Sequence, residues 1–377
     1  MKKVNPFCVI FLFCTLFINC SKKDNTIPIN NKQIPSSVDF QLNYIDQVFF
    51  TQDNGLLITG SYNHKSTIIK TNYKFEITWE KNNYEWGNLI SGSGWGSSFY
   101  SANITKIIQK EDGTYVCICS IAEGGDVVYS STLLLELNQN GEQIRKIEFH
   151  DNRTTNILQT TDGGYLLFGS KLIKLDRNYI QQWSKNLIGE IFNQVQIVSA
   201  TDGGFATTGS YKNDQVFLKK YDSNGNEISG FTYKHSDYPF EEAGFDLVQL
   251  TDKGFLIIGR TGKTFVPNVI NCQIIRTSAK GDTIWTKRFG GSTNNWLDRF
   301  ITNDKNEFVI QGSDGFPNEI QKSILIRINS EGQILDSIRT EKFQMMLYSP
   351  LKLYIKVQSK DKDHINFTRI ETGNLFN

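Results

Sequence analysis

Short apolar runs alternate along the chain with tight clusters of Asp, Asn, Gly and Lys. One cluster recurs almost unchanged. Thr161-Asp162-Gly163-Gly164 leads into Tyr165-Leu166-Leu167-Phe168 and ends at Gly169-Ser170. Thr201 to Ser210 and Thr251 to Arg260 repeat it closely. Gln52 to Ser61, Glu111 to Ser120 and Asn303 to Ser313 are variants, the last with one extra turn residue. Asp-Gly and Asn-Gly supply the positive φ that tight turns need, so each cluster predicts a β-hairpin. The Gly-Ser at the end of the apolar run predicts a close backbone approach, where a side chain would not fit.

A second pattern follows each first one: apolar strand, polar turn, strand. It appears at Leu175 to Trp183, Thr277 to Trp285 and Thr71 to Trp79. Leu137 to Ile144, Tyr221 to Ile228 and Ile328 to Ile334 fit the same register. Two hairpins per repeat make a four-stranded antiparallel sheet, the unit of a β-propeller blade. The turn aspartates at 53, 112, 162, 202, 252 and 304 set the repeat. No window shows an amphipathic helical period over several turns, which excludes a helical solenoid.

Six hairpins of the first kind are clear, and Leu347 to Ser359 reads as a degenerate seventh. It is followed by a third strand at His364 to Ile370, with Glu371 at the polar turn position. The chain then lacks a fourth strand there, while Val38 to Leu42 precede the first hairpin without a blade of their own. The two leftovers complete one another, and ring closure removes exposed sheet edges. The expected fold is all-β: a seven-bladed β-propeller of four-stranded antiparallel blades over residues 37–377, closed by an N-terminal strand completing the last blade.

The paired hairpins, Thr161-Asp162-Gly163-Gly164-Tyr165 with Leu175-Asp176 to Trp183, resemble the repeat of Bacteroidetes-type secreted and lipoprotein β-propellers. The resemblance covers residues 37–374 and implies architecture rather than activity. The second hairpin is also distantly similar to the blades of quinoprotein-like propellers, of which Trp79, Trp183 and Trp285 keep the Trp. No vicinal disulfide, calcium or quinone ligand set accompanies that likeness, so no functional residue carries over and no cofactor is expected.

The N-terminus reads as a targeting segment. Lys2 and Lys3 precede an apolar run from Pro6 to Ile18, broken by Thr15. Its length, about 13 residues, suits a signal-peptide core and is too short to span a bilayer. The run ends at Cys20-Ser21-Lys22-Lys23-Asp24, which resembles a relaxed bacterial lipobox. Residues 1–19 are therefore read as a lipoprotein signal peptide, Cys20 as the lipidated residue and residues 20–36 as a flexible tether. The location implied is that of an outer-membrane lipoprotein, on the periplasmic or cell-surface face, touching the membrane through the lipid anchor only.

Charge and cysteine content narrow the chemistry. Lys plus Arg is 40 against 39 for Asp plus Glu, a balance that argues against nucleic acid. Cys117, Cys119 and Cys272 remain beyond Cys20; three thiols are no disulfide framework and read as small buried hydrophobes. The four His are dispersed, and no metal-ligand spacing appears. Asp222 to Glu227 resembles the start of an EF-hand loop but lacks the distal Glu and lies on a hairpin register. Asp246 and Asp298 both lie six before their hairpin Asp, where they are expected to satisfy backbone groups between blades.

In such blades the short turns open on one face and the long segments on the other. The long segments 82–105, 121–131, 233–245, 261–271, 290–297 and 312–322 are rich in aromatics. Long loops on a rigid scaffold concentrate function. Trp86, Trp95, Tyr238 and Trp296 are the candidate ligand-binding residues; no residue is assigned as catalytic. The leading expectation is a binding module for an envelope protein or a glycan, more binding protein than enzyme. Alternatives are a polysaccharide hydrolase or lyase with acidic residues in the funnel, and an envelope-assembly scaffold. A perturbed carboxylate pair in the funnel would favour the enzyme.

Overall fold

The turns at Asp53, Asp112, Asp162, Asp202 and Asp252 each join two antiparallel strands in the computed structural model. The turn at Asp304 lies outside the described residues, but the strands flanking it pair. The structure describes residues 35–63, 65–82, 100–123, 130–149, 154–169, 171–186, 196–211, 215–233, 240–262, 270–289, 294–302, 308–315, 322–349, 352–371 and Leu375.

The chain enters on β1 (Ser37–Gln41). Blade 1 is β2 (Tyr44–Phe50), β3 (Leu56–Tyr62), β4 (Lys65–Thr71) and β5 (Ile77–Asn82). Blade 2 is β6 (Tyr100–Gln109), β7 (Tyr115–Glu123), β8 (Ser130–Leu137) and β9 (Gln143–Phe149). Blade 3 is β10 (Thr154–Gln159), β11 (Tyr165–Gly169), β12 (Lys171–Leu175) and β13 (Gln181–Asn186). Blade 4 is β14 (Gln196–Ser199), β15 (Phe205–Tyr211), β16 (Gln215–Tyr221) and β17 (Glu227–Tyr233). Blade 5 is β18 (Phe240–Gln249), β19 (Phe255–Gly262), β20 (Ile270–Thr277) and β21 (Thr283–Phe289). Blade 6 is β22 (Asn294–Thr302), β23 (Phe308–Gly315), β24 (Lys322–Ile328) and β25 (Ile334–Thr340). Blade 7 joins β26 (Met345–Tyr348), β27 (Leu353–Ser359) and β28 (His364–Glu371) to β1. Seven four-stranded antiparallel sheets result; every pair joins sequence neighbours except the closing pair of β1 and β28, which is antiparallel as well. The closing register runs from Ser37↔Thr368 to Gln41↔His364, the pairing expected from the two leftover segments. Glu371 differs from its expected place in a turn: it still pairs with Leu353 inside β28.

Burial explains the sequence pattern. Second and third strands are sandwiched between neighbouring blades, so they read as continuous apolar runs; β3 and β4 are almost wholly buried. Fourth strands line the rim and alternate, as in β13. The core therefore lies between the blades. Val116, Ile118 and Leu134 of blade 2 pack with Tyr165, Leu167 and Ile173 of blade 3. Phe40 and Phe367 of blade 7 meet edge to face at 4.9 Å and share a cluster with Leu56, Ile58 and Ile69 of blade 1. Cys117 and Cys119 are buried on one face of β7, and burial pushes the Cys119 thiol up to about 12, so they behave as apolar filler.

The two glycines of Asp162-Gly163-Gly164 have different jobs. Gly163 has φ +77° with open space around it, so the backbone conformation selects it. Gly164 abuts the Leu175 carbonyl and the Lys174 ammonium, so space selects it.

A ring is exchanged across the seams between blades. Trp79 of blade 1 covers Gly141 in the outer turn of blade 2, where an added Cβ would sit 2.8 Å from the indole. Trp183 covers Gly225, Phe231 covers Gly281 and Trp285 covers Gly332 in the same way. Blade 2 has Arg145 where blade 1 has Trp79. The turn it meets carries Tyr179 instead of glycine, at φ 67°, with the guanidinium 5.2 Å from the ring centroid. Each of these seams thus receives an aromatic ring, either from the outer strand or from the turn it faces.

Candidate functional site

Among the described residues of blades 1 to 5, the short-turn face pairs its own charges. Asp53, Asp162, Asp202 and Asp252 each accept a hydrogen bond from the glycine N–H two residues on. Each also pairs with a cation from the third strand: Lys70 at 2.7 Å, Lys174 at 2.8 Å, Lys220 at 3.6 Å and Arg276. Blade 2 permutes the charges: Glu136 occupies the third-strand position and Lys110 bridges it to Asp112 at 2.6 and 3.1 Å. Burial alone would raise the Asp162 carboxyl. Hydrogen bonds from Lys174, Thr160 and Gly164 outweigh it, and the carboxyl falls to about 2. The EF-hand-like Asp222 is likewise spent on its own turn, accepting from the Asn224 and Asn226 N–H groups.

The channel wall is built by the innermost strands. Five of them carry a bulge, and the extra residue is Asp46, Thr105, Thr155, Phe245 or Asp298. The next residue takes a common register position: Gln47, Lys106, Asn156, Asp246 and Arg299, with Gln196 equivalent in blade 4. These side chains reach from blade to blade. Gln47 donates to the Ile107 carbonyl at 2.9 Å and accepts from its N–H at 3.0 Å. Asn156 donates to Gln196, which donates to Asp246, each at 3.0 Å. Asp246 accepts from the Phe300 N–H at 2.7 Å and the Leu247 N–H at 2.9 Å. In blade 6 the job moves to Gln311 on β23, which accepts from the Met346 N–H at 2.7 Å.

Asp246 therefore does what its spacing suggested. Asp298 does not: Thr302↔Phe308 has the same spacing as Gln249↔Phe255, so no residue is inserted; Asp304 stands one place earlier than Asp252, and Arg299 holds the ring position while Asp298 is the bulge. Burial raises the Asp46 carboxyl to about 6, although the residue is exposed at the bulge of β2. Burial also raises Asp246 and Asp298, the latter partly offset by Arg299. Neither Asp46 nor Asp298 is perturbed by another carboxylate, so among the described residues these raised carboxyls form no coupled pair. Among the described residues, no three His, Cys, Asp or Glu converge as a metal site.

Trp86, Trp95 and Tyr238 lie outside the described residues, as does Cys20. Trp296, expected in a loop, lies in β22, where its backbone pairs with Ser313; the inner strand extends beyond its bulge toward the long-loop end. The described strand ends that flank 83–99, 124–129, 234–239, 263–269 and 316–321 lie at that same end; the segments themselves lie outside the described residues. The buried turn cations were missed in the sequence, although a signal was present. Lys70, Lys174, Lys220 and Arg276 each precede by two the small polar residue that opens the outer turn.

No protein-family model matches the chain, and no curated protein matches it. Among solved structures, crystals of BBS1N in complex with ARL6DN, soaked with lead or mercury, give TM-scores of 0.51 and 0.50 at 8% identity. They cover 92% and 89% of this chain and 96% and 97% of theirs. A member of the DUF4221 family from Bacteroides vulgatus gives 0.40 at 10% identity, over 89% of this chain and 96% of its own. The likeness to BBS1N is one of fold.

Proposed function

We propose that this chain is a lipid-anchored propeller of the bacterial cell envelope that binds a partner protein through its long-loop face. The observation that carries the reading is the contrast between the two ends of the blades. Among the described residues of blades 1 to 5 the short-turn end pairs its own charges, whereas the strands that flank the long, aromatic-rich connections of the sequence end at the other face. Trp86, Trp95, Tyr238 and Trp296 are the proposed contacts, since aromatic anchors dominate binding energy. A protein occupant is supported by BBS1N, whose crystals hold it in complex with ARL6DN. A glycan is the other ligand class that aromatics would stack. Retention of a protein band on immobilised chain supports the reading; retention of glycan alone reassigns the ligand.

The anchor rests on Cys20. Cys20→Ala is expected to release the chain from the membrane fraction or to block its processing, read by fractionation and immunoblot. Unchanged partition with membranes would remove the anchor from the account.

A second reading, a polysaccharide hydrolase or lyase, draws on the raised carboxyls of Asp46 and Asp298 in the channel. It ranks lower because an acid–base pair is recognised by two carboxylates whose titrations are pushed apart, and no such coupling appears among the described residues.

A further inference from the structure

The large apolar side chains left open to water gather at one end of the blades. Ile77, Ile144, Ile180, Ile228, Ile284 and Ile334 are 51–62% exposed, one on each of blades 1 to 6. Each closes the outer short turn of its blade or follows that turn by one or two residues. Leu335 sits beside Ile334, and Tyr44, at the long-loop end of β2, is the only other exposed large apolar residue among the described residues. Single apolar residues are ordinary on a protein surface. A set of them at matching places around a closed ring makes an apolar rim, and such a rim marks a contact surface.

The chain enters the propeller at the same end. Ser37 of β1 pairs with Thr368, and the Arg369 N–H donates to the Ser36 carbonyl at 2.9 Å. Two residues further on, Glu371 pairs with Leu353, which closes the short Ser349 turn of blade 7. Blade 7 carries no exposed isoleucine among the described residues, so the chain enters through a gap in the rim. As a coil, the roughly 17 residues from Cys20 to Ser37 span about 20–25 Å. A seven-residue strand is about 23 Å long. A lipid on Cys20 thus holds the short-turn end against the membrane, whereas turning the long-loop end to it would use up the whole span in running past a blade.

Charge selects the lipid. In blades 1, 3 and 5 each outer turn holds one acid and one cation: Glu76 with Lys74, Asp176 with Arg177 and Asp282 with Lys280. In blades 2, 4 and 6, residues 138–144, 222–228 and 329–335 hold only acids, Glu142, Asp222, Glu227 and Glu331. The rim is apolar and mildly acidic, which suits an uncharged lipid surface and not an anionic one.

We propose that the isoleucine rim of the short-turn end sits in the headgroup layer of an uncharged lipid surface, with the long-loop face turned away from the membrane. The proposal rests on the lipidation of Cys20 in the reading above and adds the orientation that the anchor imposes.

The test uses the mature, lipidated chain on phosphatidylcholine vesicles that contain a nitroxide-labelled lipid. A fluorophore is attached through Ile228→Cys, Ile284→Cys or Tyr44→Cys. Cys117, Cys119 and Cys272 are buried, so the introduced thiol takes the label. Emission should be lost from the labels at 228 and 284 and kept at 44, and added phosphatidylglycerol should lessen that loss. Equal loss at all three, loss at 44 alone, no loss at any, or a loss that grows with phosphatidylglycerol would overturn the proposal. Cross-linked dimers in place of quenching would give the rim to a second copy of the chain and overturn it too. Mass spectrometry of Cys20 separates the two readings: without lipid there, both fall, whereas a lipidated chain with unquenched rim labels sinks the docking alone. Should a labelled variant fail to fold, hydrogen exchange on the wild-type chain decides. Slower exchange at 142–146 and 226–230 on vesicles than after release by cleavage within 21–36 supports the docking; equal exchange refutes it.

Discussion

The short-turn face and the channel wall are both polar, and both repeat from blade to blade, but they treat charge in opposite ways. On the turn face, carboxylates at the solvent edge meet buried cations, and the pairing pulls the Asp162 carboxyl down to about 2. In the channel, carboxyls are crowded by protein without a matching cation in contact, and Asp46 rises to about 6. The first arrangement locks a turn and leaves little for a ligand. The second keeps polar groups in an unfavourable state, which natural proteins maintain chiefly where function needs it.

Both regions presuppose a closed ring, so the largest effect comes from opening it. Phe40 is 1% exposed and lies between blades 7 and 1. Phe40→Ala should cost about 3–5 kcal/mol in chemical denaturation. Deleting residues 37–44 should cost more and expose the β28 edge, with loss of solubility. A deletion variant that melts with the wild type would show that β1 does not close the ring.

A smaller effect separates the seams from the open turns. Gly225→Ala meets the Trp183 indole and carries φ +72°, whereas Gly163→Ala carries φ +77° in open space. The turn variant should lose about 1 kcal/mol from backbone strain alone. The seam variant should lose that amount plus an overpacking cost of about 1–3 kcal/mol. Equal losses from the two would mean that the ring and glycine do not bear on one another.

The smallest effects test charge directly through pH. Asp162 has a folded pKa near 2, below its unfolded value of about 3.9. Its contribution is therefore present above pH ~4 and lost as pH falls toward 2. Asp46 has a folded pKa near 6, above its unfolded value, so its contribution is present below pH ~4 and lost as pH rises through 6. Both groups are solvent-accessible, and screening should hold each effect below about 1 kcal/mol. Asp46→Asn should raise Tm at pH 7 and leave it unchanged at pH 4. Asp162→Asn should lower Tm at pH 7 and converge with wild type near pH 2. Parallel pH curves for both variants would remove the contrast between the two regions.

The fold was legible because turn chemistry repeats where burial does. Asp-Gly-Gly at 162 and 202 encodes a left-handed turn residue followed by a close approach, and both can be read without a neighbour. Val38 to Leu42 could be assigned to blade 7 because the count of strands left one vacancy. The channel site was only half legible. Asp246 was marked by its spacing, but Asp304 stands one place earlier between strands of the same spacing, and counting back from it concealed Arg299 behind Asp298. Lys106 looked like any strand lysine, because its ring register shows only once β6 pairs with β7. The role of Trp79, Trp183 and Trp285 was hidden for a related reason: each ring meets a glycine in the next blade, which no local pattern reveals.

The most direct test of the account compares the two faces in one binding assay. A Trp95→Ala, Trp296→Ala double variant and a turn-face Lys253→Ala variant are each immobilised, and retention of the partner captured by the wild type is quantified. A binding hot spot lost to alanine costs about 2 kcal/mol or more, so the double variant should bind roughly tenfold weaker or worse. The Lys253 variant should bind like wild type. Full binding by the double variant, with loss from the folded Lys253 variant, would place the functional face at the opposite end of the propeller.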